Sequence, residues 1–298
     1  MNRCGTIAIA GRPNVGKSTL LNRLVGMKLS ITAHKPQTTR HSVLGVRTHG
    51  DTQLIFVDTP GIHVDGKRVL NRVLNRTAST ALLDVDAIVF MVQAMSWTED
   101  DQRALELVNR SEAPVFVLVN KTDRVAEKDK LLPFLADLPK PERLREVIPI
   151  SAKTGQNVDV LEKLLVDVAP EGEHRFDPDD FTDRSMRFLA SELIREQLTR
   201  FLEKELPYSL SVGIEQFEIE EDGLFRIAGV VWVEKTSQKG IVIGKQGARL
   251  KEIGRRSREA MEALFGAKVF LQLWVKVKDG WADDLRAIQS LGYEGNDD

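Results

Sequence analysis

The sequence predicts an α/β domain, whose mostly parallel sheet is covered by helices on both faces, followed by a smaller α+β domain. Up to about residue 168, short β-branched runs alternate with helical patterns, as a parallel sheet with crossover helices requires. After the acidic stretch APEGEHRFDPDD at 169–180, the elements follow an αββααβα order instead. We therefore predict a first domain over 1–169, a linker over 170–182 and a second domain over 183–298.

The elements of the first domain alternate along the chain. Strands are expected at 6–10, 43–48, 53–58, 87–92, 115–120 and 147–150. Helices are expected at 17–25, 68–82, 99–109, 128–138 and 158–168. The turn HGD at 49–51 predicts that the second and third strands form an antiparallel hairpin.

The second domain is expected to begin with a long helix. That helix is predicted at 183–205, with strands at 209–218 and 224–234 after it. A short helix ends before Gly244, a longer one covers 248–265, a strand covers 268–278, and a last helix lies near 281–290. The longer helix is expected to bury the apolar stripe formed by Leu250, Ile253, Ser257, Ala260 and Leu264.

Composition excludes several classes of protein. The chain has 298 residues, of which 42% are hydrophobic and 29% charged, as in a soluble globular protein. Cys4 is the only cysteine, so an intrachain disulfide is impossible and a reducing compartment is expected. The longest apolar run, 85–95, is too short to span a membrane, and the first apolar stretch is too short for a signal peptide. We expect a cytoplasmic protein, with peripheral attachment to a membrane left open.

A glycine-rich loop at 11–18, GRPNVGKS, matches G-x-x-x-x-G-K-[ST] and lies between a predicted strand and a predicted helix. In that setting backbone N–H groups converge on phosphate oxygens at the positive end of the helix. Lys17 is expected to reach the β- and γ-phosphates, and Ser18 to ligate Mg²⁺. The loop therefore predicts a nucleotide triphosphate site.

Three further motifs complete the site and indicate a guanine nucleotide. The motif DTPG at 58–61 ends a strand, so that Asp58 holds Mg²⁺ through water and the Gly61 amide senses the γ-phosphate. The carboxylate of Asp123, in NKTD, accepts from N1–H and the 2-amino group of guanine, which adenine cannot offer. Asn120 is expected to brace neighbouring loops, Lys121 to cover the base, and the Ala152 amide of SAK to face guanine O6. The predicted nucleotide-binding residues are Gly11, Arg12, Pro13, Asn14, Val15, Gly16, Lys17, Ser18, Thr19, Asp58, Thr59, Pro60, Gly61, Asn120, Lys121, Thr122, Asp123, Ser151, Ala152 and Lys153.

These motifs, in this order, resemble those of the translation-factor-type GTPases. The resemblance implies that Thr39, in PQTTRH, closes on Mg²⁺ beside Ser18 and Asp58 when GTP is bound. In Ras-like members the residue after DxxG is a glutamine that orients the attacking water, but here it is Ile62. We therefore expect slow hydrolysis that depends on Lys17, Thr39, Gly61 and Asn14, with the water positioned by backbone, a partner or an ion. Members with asparagine at the position of Asn14 recruit K⁺. The alternative, that Asn14 only hydrogen-bonds its own turn, remains open.

A second glycine loop, GKQG at 244–247, lies in the most basic part of the chain. Residues 236–278 contain ten lysines and arginines against three glutamates. A glycine loop between two helices, with a basic flank, suits a sugar-phosphate backbone and is the arrangement of a KH domain. The alternative is a helix–turn–helix pair with a solvated basic face. The predicted RNA-binding residues are Gly244, Lys245, Gln246, Gly247, Arg249, Lys251 and Arg255.

Over the whole length, the chain resembles the Era-type family of bacterial GTPases. The segments that carry the resemblance are GRPNVGKSTLLN, QTTRH, VDTPG, RFLASELIRE, ELPYS, VIGKQGA, LWVKVK and GWADD…SLGY. It implies an α/β P-loop GTPase domain followed by a type 2 KH domain, and GTP/GDP and Mg²⁺ as ligands. It also implies single-stranded RNA near the 3′ end of 16S rRNA as partner, a role in 30S subunit biogenesis, and loose association with the inner membrane. We expect a monomer.

The same residues raise two alternative functions. A membrane-associated signalling GTPase would use the basic C-terminal face on acidic lipid. Replacing Lys245 and Gln246 by aspartate separates this function from RNA binding. A metabolic kinase is disfavoured because the NKTD motif would have no role in it.

Overall fold

The structure, a computed structural model, describes residues 1–32, 42–59, 61, 69–202 and 210–284. The chain divides into two compact units, which we describe separately. The first contains the described residues of 1–30, 39–66 and 74–183, and the second contains those of 31–38, 67–73 and 184–298.

The first unit is built on a six-stranded sheet in the order β2-β3-β1-β4-β5-β6. Its strands are β1 (Arg3–Ala10), β2 (Val43–His49), β3 (Thr52–Asp58), β4 (Ala87–Gln93), β5 (Val115–Asn120) and β6 (Leu144–Pro149). Only β2 runs antiparallel to its neighbour, so the predicted hairpin within a mostly parallel sheet is confirmed. The loops after β1, β3, β5 and β6 therefore meet at the carboxyl edge of the sheet, where open α/β sheets bind ligands.

The described helices of the first unit are α1 (Lys17–Val25), α2 (Val69–Thr80), α3 (Glu99–Val108), α4 (Leu131–Asp137) and α5 (Val158–Val168). Helix α4 begins later than predicted because 128–130 form a separate 3₁₀ turn. Strands β1 and β6 begin three residues earlier than predicted. The polar start of β1 is extended by pairing with β3, Arg3 opposite Thr52, which the sequence of one strand alone cannot show.

The predicted linker, 170–182, is an ordered extension of the first unit. The Cys4 amide donates to the Pro170 carbonyl at 3.0 Å. The buried side chain of Gln53 accepts from the backbone amides of Arg175 and Phe176 at 2.8 and 3.0 Å. This stretch is therefore hydrogen-bonded along the sheet and is not a flexible spacer.

The second unit packs helices against one face of a three-stranded sheet in the order β7-β8-β9. Its elements are α6 (Met186–Phe201), β7 (Leu210–Ile219), β8 (Phe225–Val233), α7 (Thr236–Ile243), α8 (Ala248–Phe265) and β9 (Val269–Val277). Strand β7 is antiparallel and β9 parallel to β8, so the predicted αββααβ order is confirmed.

The ends of the second unit differ from the prediction. Helix α6 begins at Met186 because the Ser185 side chain accepts from the Phe188 amide and caps it. Of the helix expected near 281–290, residues 281–283 form a 3₁₀ turn and 285–290 lie outside the described residues. Within the described chain, no helix combines the length and the apolar character needed to cross a membrane.

Candidate nucleotide site and nucleic-acid interface

The first glycine loop connects β1 to α1 in a conformation that requires glycine. Gly11 and Gly16 have φ of 141° and 113°, and Asn14 is also left-handed, with φ of 63°. A Cβ at Gly16 would overlap the side-chain amide of Asn120. The loop is therefore a tight backbone turn, as phosphate binding requires.

The side chain of Lys17 is buried at the centre of this loop. Its Nζ donates to the carbonyls of Gly11 and Arg12 at 2.9 and 3.1 Å. Removal from water lowers the pKa of Lys17 from 10.5 to about 8, and the nearby carboxylate of Asp58 only partly opposes this. A phosphate arriving here would favour the charged form.

Two predicted magnesium ligands lie together beside Lys17. The Ser18 hydroxyl donates to Asp58 Oδ2 at 2.8 Å, and Asp58 is fully buried at the end of β3. A hydroxyl and a carboxylate oxygen are the hard donors that Mg²⁺ prefers, so this pair fits the ion. Ser30, which the sequence analysis missed, donates to the same carboxylate oxygen at 2.8 Å. The third predicted ligand, Thr39, lies outside the described residues.

Asn120 joins the phosphate loop to the base-recognition loop. Its Nδ2 donates to the Val15 carbonyl at 2.7 Å, and its Oδ1 accepts from the Ala152 amide at 2.9 Å. The predicted bracing role is confirmed. The Ala152 amide donates to Asn120 in this structure, and its approach to guanine O6 stays a prediction.

Asp123 and Lys121 stand at the same edge of the sheet. The Ser151 hydroxyl donates to Asp123 Oδ1 at 2.8 Å and fixes the carboxylate that is predicted to read guanine. Lys121 Nζ donates to the Asn14 carbonyl at 2.6 Å and to Gln93 Oε1 at 2.8 Å. Burial lowers the pKa of Lys121, and the nearby cation of Arg124 adds to this effect. The stem of Lys121 thus crosses from the base-recognition loop to the phosphate loop, and its predicted role of covering the base stays a prediction.

Three predicted nucleotide-binding residues direct their side chains into the protein. The guanidinium of Arg12 pairs with the buried Asp101 at 2.9 Å. The hydroxyls of Thr59 and Thr122 donate to backbone carbonyls at 2.8 and 2.9 Å, those of Ile9 and Ile150 respectively. Arg12, Thr59 and Thr122 can therefore serve a nucleotide only through their backbone.

The remaining predicted residues of this site are placed as follows. Gly61 lies against the glycine loop, because a Cβ there would come within 2.7 Å of Pro13. Thr19 is half-buried in α1, and the Lys153 carbonyl accepts from the guanidinium of Arg23. Pro60 lies outside the described residues, as do Ile62 and the histidine after it.

Sequence analysis missed several residues that hold this site together. Arg23 Nε donates to the Ala152 carbonyl at 2.7 Å. Asn22 Oδ1 accepts from the amides of Leu29 and Ser30, both at 2.9 Å, and so fixes the segment that carries the Ser30 hydroxyl. Arg23 and Asn22 share α1 with Lys17 and Ser18. Their position in the helix that follows the glycine loop is the one sequence feature that could have predicted a role at this site.

The second glycine loop, GKQG, lies between α7 and α8 and is left-handed at three positions. Gly244, Gln246 and Gly247 have φ of 73°, 51° and 80°. A Cβ at Gly244 would lie 2.6 Å from the Cβ of Arg249. The side chains of Lys245 and Gln246 are exposed. The loop therefore presents its backbone and one cation to solvent at the N-terminus of an 18-residue helix.

The basic flank of this loop is less free than the sequence predicted. Arg249 donates to the Ile241 carbonyl at 2.7 Å and closes the loop. Arg255 pairs with Glu252 and Glu259 at 2.7 and 2.6 Å. The hydrogen bonds from Arg255 and Arg256 hold the pKa of Glu252 down at about 2, so it stays ionised and offsets their charge. Arg249 and Arg255 thus make intramolecular contacts in this structure, and their role as direct RNA ligands stays a prediction.

Lys245 and Lys251 are the other two basic residues predicted to bind RNA. Both are exposed, and neither forms an ion pair with any residue that the structure describes. Gly254, in the middle of α8, faces the strand behind it, where a Cβ would meet Leu273 Cδ1 at 3.6 Å. That is ordinary van der Waals contact, so close packing of β9 does not require this glycine.

Comparison with known proteins identifies both units. Residues 6–121 match the family model of the 50S ribosome-binding GTPases, and residues 205–282 match that of the KH domain. The chain is 54% identical over 292 residues to the GTPase Era of Pseudomonas aeruginosa, covering 98% of this chain and 95% of that one. It is 52% identical over 290 residues to GTPase Era of Histophilus somni, covering 97% of each.

Two solved structures share the whole fold. A variant of Aquifex aeolicus Era bound to GDP and AlF4⁻ is 38% identical, with a TM-score of 0.93, over 98% of this chain and 99% of that one. Era in complex with MgGDPNP and nucleotides 1506–1542 of 16S ribosomal RNA is also 38% identical, with a TM-score of 0.94 over the same shares. Both ligand sets contain a guanine nucleotide, which agrees with the site built above. The chain belongs to the Era family of GTPases.

Proposed function

We propose that this GTPase binds single-stranded RNA through the GKQG loop and the exposed start of α8. The observation that carries the proposal is the loop itself, with three left-handed residues and an exposed lysine at a helix N-terminus. Such a loop directs backbone N–H groups and helix dipole at a phosphate. The KH family match and the related Era solved with 16S rRNA nucleotides support RNA as the ligand.

The proposal extends to the biological setting. We propose that the RNA is the 3′ region of 16S rRNA and that the protein acts in 30S subunit biogenesis as a cytoplasmic monomer that also contacts the inner membrane. The related complex, which contains nucleotides 1506–1542, supports the choice of RNA segment.

GTP hydrolysis is assigned to the first unit. Lys17 stabilises the phosphates, Ser18 and Asp58 would hold Mg²⁺, and Mg²⁺ when bound neutralises charge on the phosphates.

We propose that K⁺ supplies a further cation beside Asn14. The backbone of Asn14 is left-handed and its carbonyl accepts from Lys121, so its position is fixed. Turnover measured in KCl and in NaCl at equal ionic strength tests this, and equal rates would remove K⁺ from the mechanism.

We further propose that nucleotide state and RNA affinity are linked. A GTPase domain and an RNA-binding domain in one chain allow the γ-phosphate to bias RNA binding, and reciprocity then requires RNA to change GTP affinity by the same factor. RNA affinities measured with GDP and with a non-hydrolysable GTP analogue test the linkage. Identical RNA affinities would show that the two domains are covalently joined but not energetically coupled.

The RNA-binding proposal is tested with Lys245→Asp/Gln246→Asp, which places two negative charges on the loop. A matched control, Lys140→Asp/Gln102→Asp, changes the same residue types at exposed positions of the first unit. We expect the loop variant to lose RNA binding in a fluorescence anisotropy titration while both variants keep normal nucleotide affinity. Normal RNA affinity in the loop variant would refute the assignment. If that variant lost only its binding to anionic vesicles, the basic face would be assigned to lipid.

A further inference from the structure

Strand β9 presents a row of aromatic and basic side chains on the face of its sheet that lies opposite the helices. Successive side chains of a strand alternate between faces. Leu271 and Leu273 pack against the core of the second unit. Phe270 and Trp274 point the other way and are 41% and 44% exposed. Two large rings on one face of a strand therefore remain partly open to solvent.

The neighbouring strand places cations and a further ring beside them. The parallel register sets Arg226 opposite Phe270, with the guanidinium 5.0 Å from the ring centroid. It also sets Trp232 opposite Lys276, whose Nζ lies 5.6 Å from the indole. The face therefore alternates rings and cations on two adjacent strands.

Charge is distributed unevenly along this sheet. Strand β9 carries no acidic residue and is bounded by Lys268 and Lys278, whereas Glu218 lies on β7 at the opposite edge. Both cations on this face already have acidic partners, since Lys276 pairs with Glu215 and Arg226 with Glu220, each at 2.6 Å, with all four side chains between 36% and 51% exposed. An exposed pair of this kind contributes little, so a phosphate can replace the glutamate. The β9 edge thus suits a ligand with negative charge and flat apolar surfaces.

The same strand lies beside the helices that carry the proposed RNA-binding loop. Helices α7 and α8, which flank the GKQG loop, both pack against β9. Because β9 is an edge strand, an RNA bound at the loop reaches the outer face of the sheet by crossing a single strand. Phe270 and Trp274 are four residues apart, which is about 13 Å along a strand, so each ring would meet a different base.

We propose that the outer face of β9 is a second contact for the same RNA strand, where Phe270 and Trp274 stack on bases beyond the segment held by the GKQG loop. Aromatic rings beside cations are the usual platform for unpaired bases, since every base offers a flat face. This inference rests on the proposed RNA binding by the second unit. The two contacts together would bind a longer RNA segment than the GKQG loop binds alone.

The test compares two lengths of single-stranded RNA from the same sequence: about four nucleotides, the span of a KH loop, and about twelve. We expect Phe270→Ala/Trp274→Ala to leave the affinity for the short RNA unchanged and to weaken the long RNA by about tenfold or more. Trp274→Phe should retain most of the long-RNA affinity. Leu132→Ala, at an exposed apolar position of the first unit, serves as the control and should change neither.

Each outcome separates this inference from the proposed function. If the wild-type protein bound neither RNA, both would fail, whereas unchanged long-RNA affinity in the double variant would overturn only the inference and leave the face to a protein partner. Equal losses for both lengths would also overturn it. Ultraviolet crosslinking of the wild-type protein with peptide mass spectrometry gives a second measurement, in which a base should attach at Phe270 or Trp274 with the long RNA only.

Discussion

Raising the pH above neutrality is expected to weaken nucleotide binding through one side chain, Lys17. Burial lowers the pKa of this ammonium to about 8. Phosphate oxygens need the charged form, so only the protonated protein is competent and the apparent affinity falls with its fraction. With a pKa of about 8, that fraction drops from about 0.9 at pH 7 to about 0.25 at pH 8.5, so the affinity should fall about fourfold.

A titration with a fluorescent GDP analogue in excess Mg²⁺, between pH 7 and pH 8.5, measures this effect. Lys17→Arg is the control, because a guanidinium does not titrate in this range. Its affinity is expected to be lower throughout but independent of pH. A wild-type affinity that stays constant up to pH 8.5 would show that the pKa of Lys17 is not lowered. The same slope in Lys17→Arg would assign the effect to another group.

The same group acts on stability with the opposite sign. In the unfolded chain Lys17 keeps its proton up to its ordinary pKa of 10.5, whereas in the folded, nucleotide-free protein it releases the proton near pH 8. Between these values the unfolded state binds more protons, so the contribution of Lys17 to the free energy of unfolding rises with pH. Urea denaturation of the wild type and of Lys17→Arg across this range should show the difference.

Three further substitutions are expected to have measurable effects. Ser30→Ala removes a buried donor to Asp58 and should lower the free energy of unfolding by about 1–2 kcal/mol in urea denaturation; no change would mean that water replaces the hydroxyl. Gly254→Ala should raise that energy by about 1 kcal/mol, because a Cβ fits beside Leu273; a loss of stability would show that the strand lies closer. Asn120→Ala removes both bonds between the phosphate and base-recognition loops, and should raise the GDP dissociation rate at least about tenfold in a chase experiment, with an unchanged rate contradicting the bracing role.

The sequence predicts the nucleotide site well because its motifs are contiguous. Each lies where a parallel strand ends, and parallel strands end at one edge, so Ser18, Asp58 and Asn120 were expected to converge. The side chains that fix them come from places with no local pattern. Ser30 is an ordinary serine in the sequence, and only the folded chain shows its hydroxyl on Asp58.

In the basic helix α8, by contrast, the spacing of the charged residues predicts more than their number does. Glu252 and Glu259 lie three residues before and four residues after Arg255, at spacings that place side chains together on a helix. Those spacings predict the observed ion pairs and therefore a smaller basic surface. The role of Arg249 has no such pattern, because it depends on the loop folding back to the Ile241 carbonyl.

The hydrogen bonds of Asn120 and Arg23 have a consequence for the order in which the protein is made. They join Val15 to Asn120 across 105 positions of the chain, and Arg23 to the carbonyl of Lys153 across 130. A nascent chain that ends before the base-recognition loop lacks both of these contacts with the phosphate loop and α1. Because a ligand stabilises only the folded form that binds it, we expect GTP or GDP to stabilise chains that extend through Lys153 more than shorter ones.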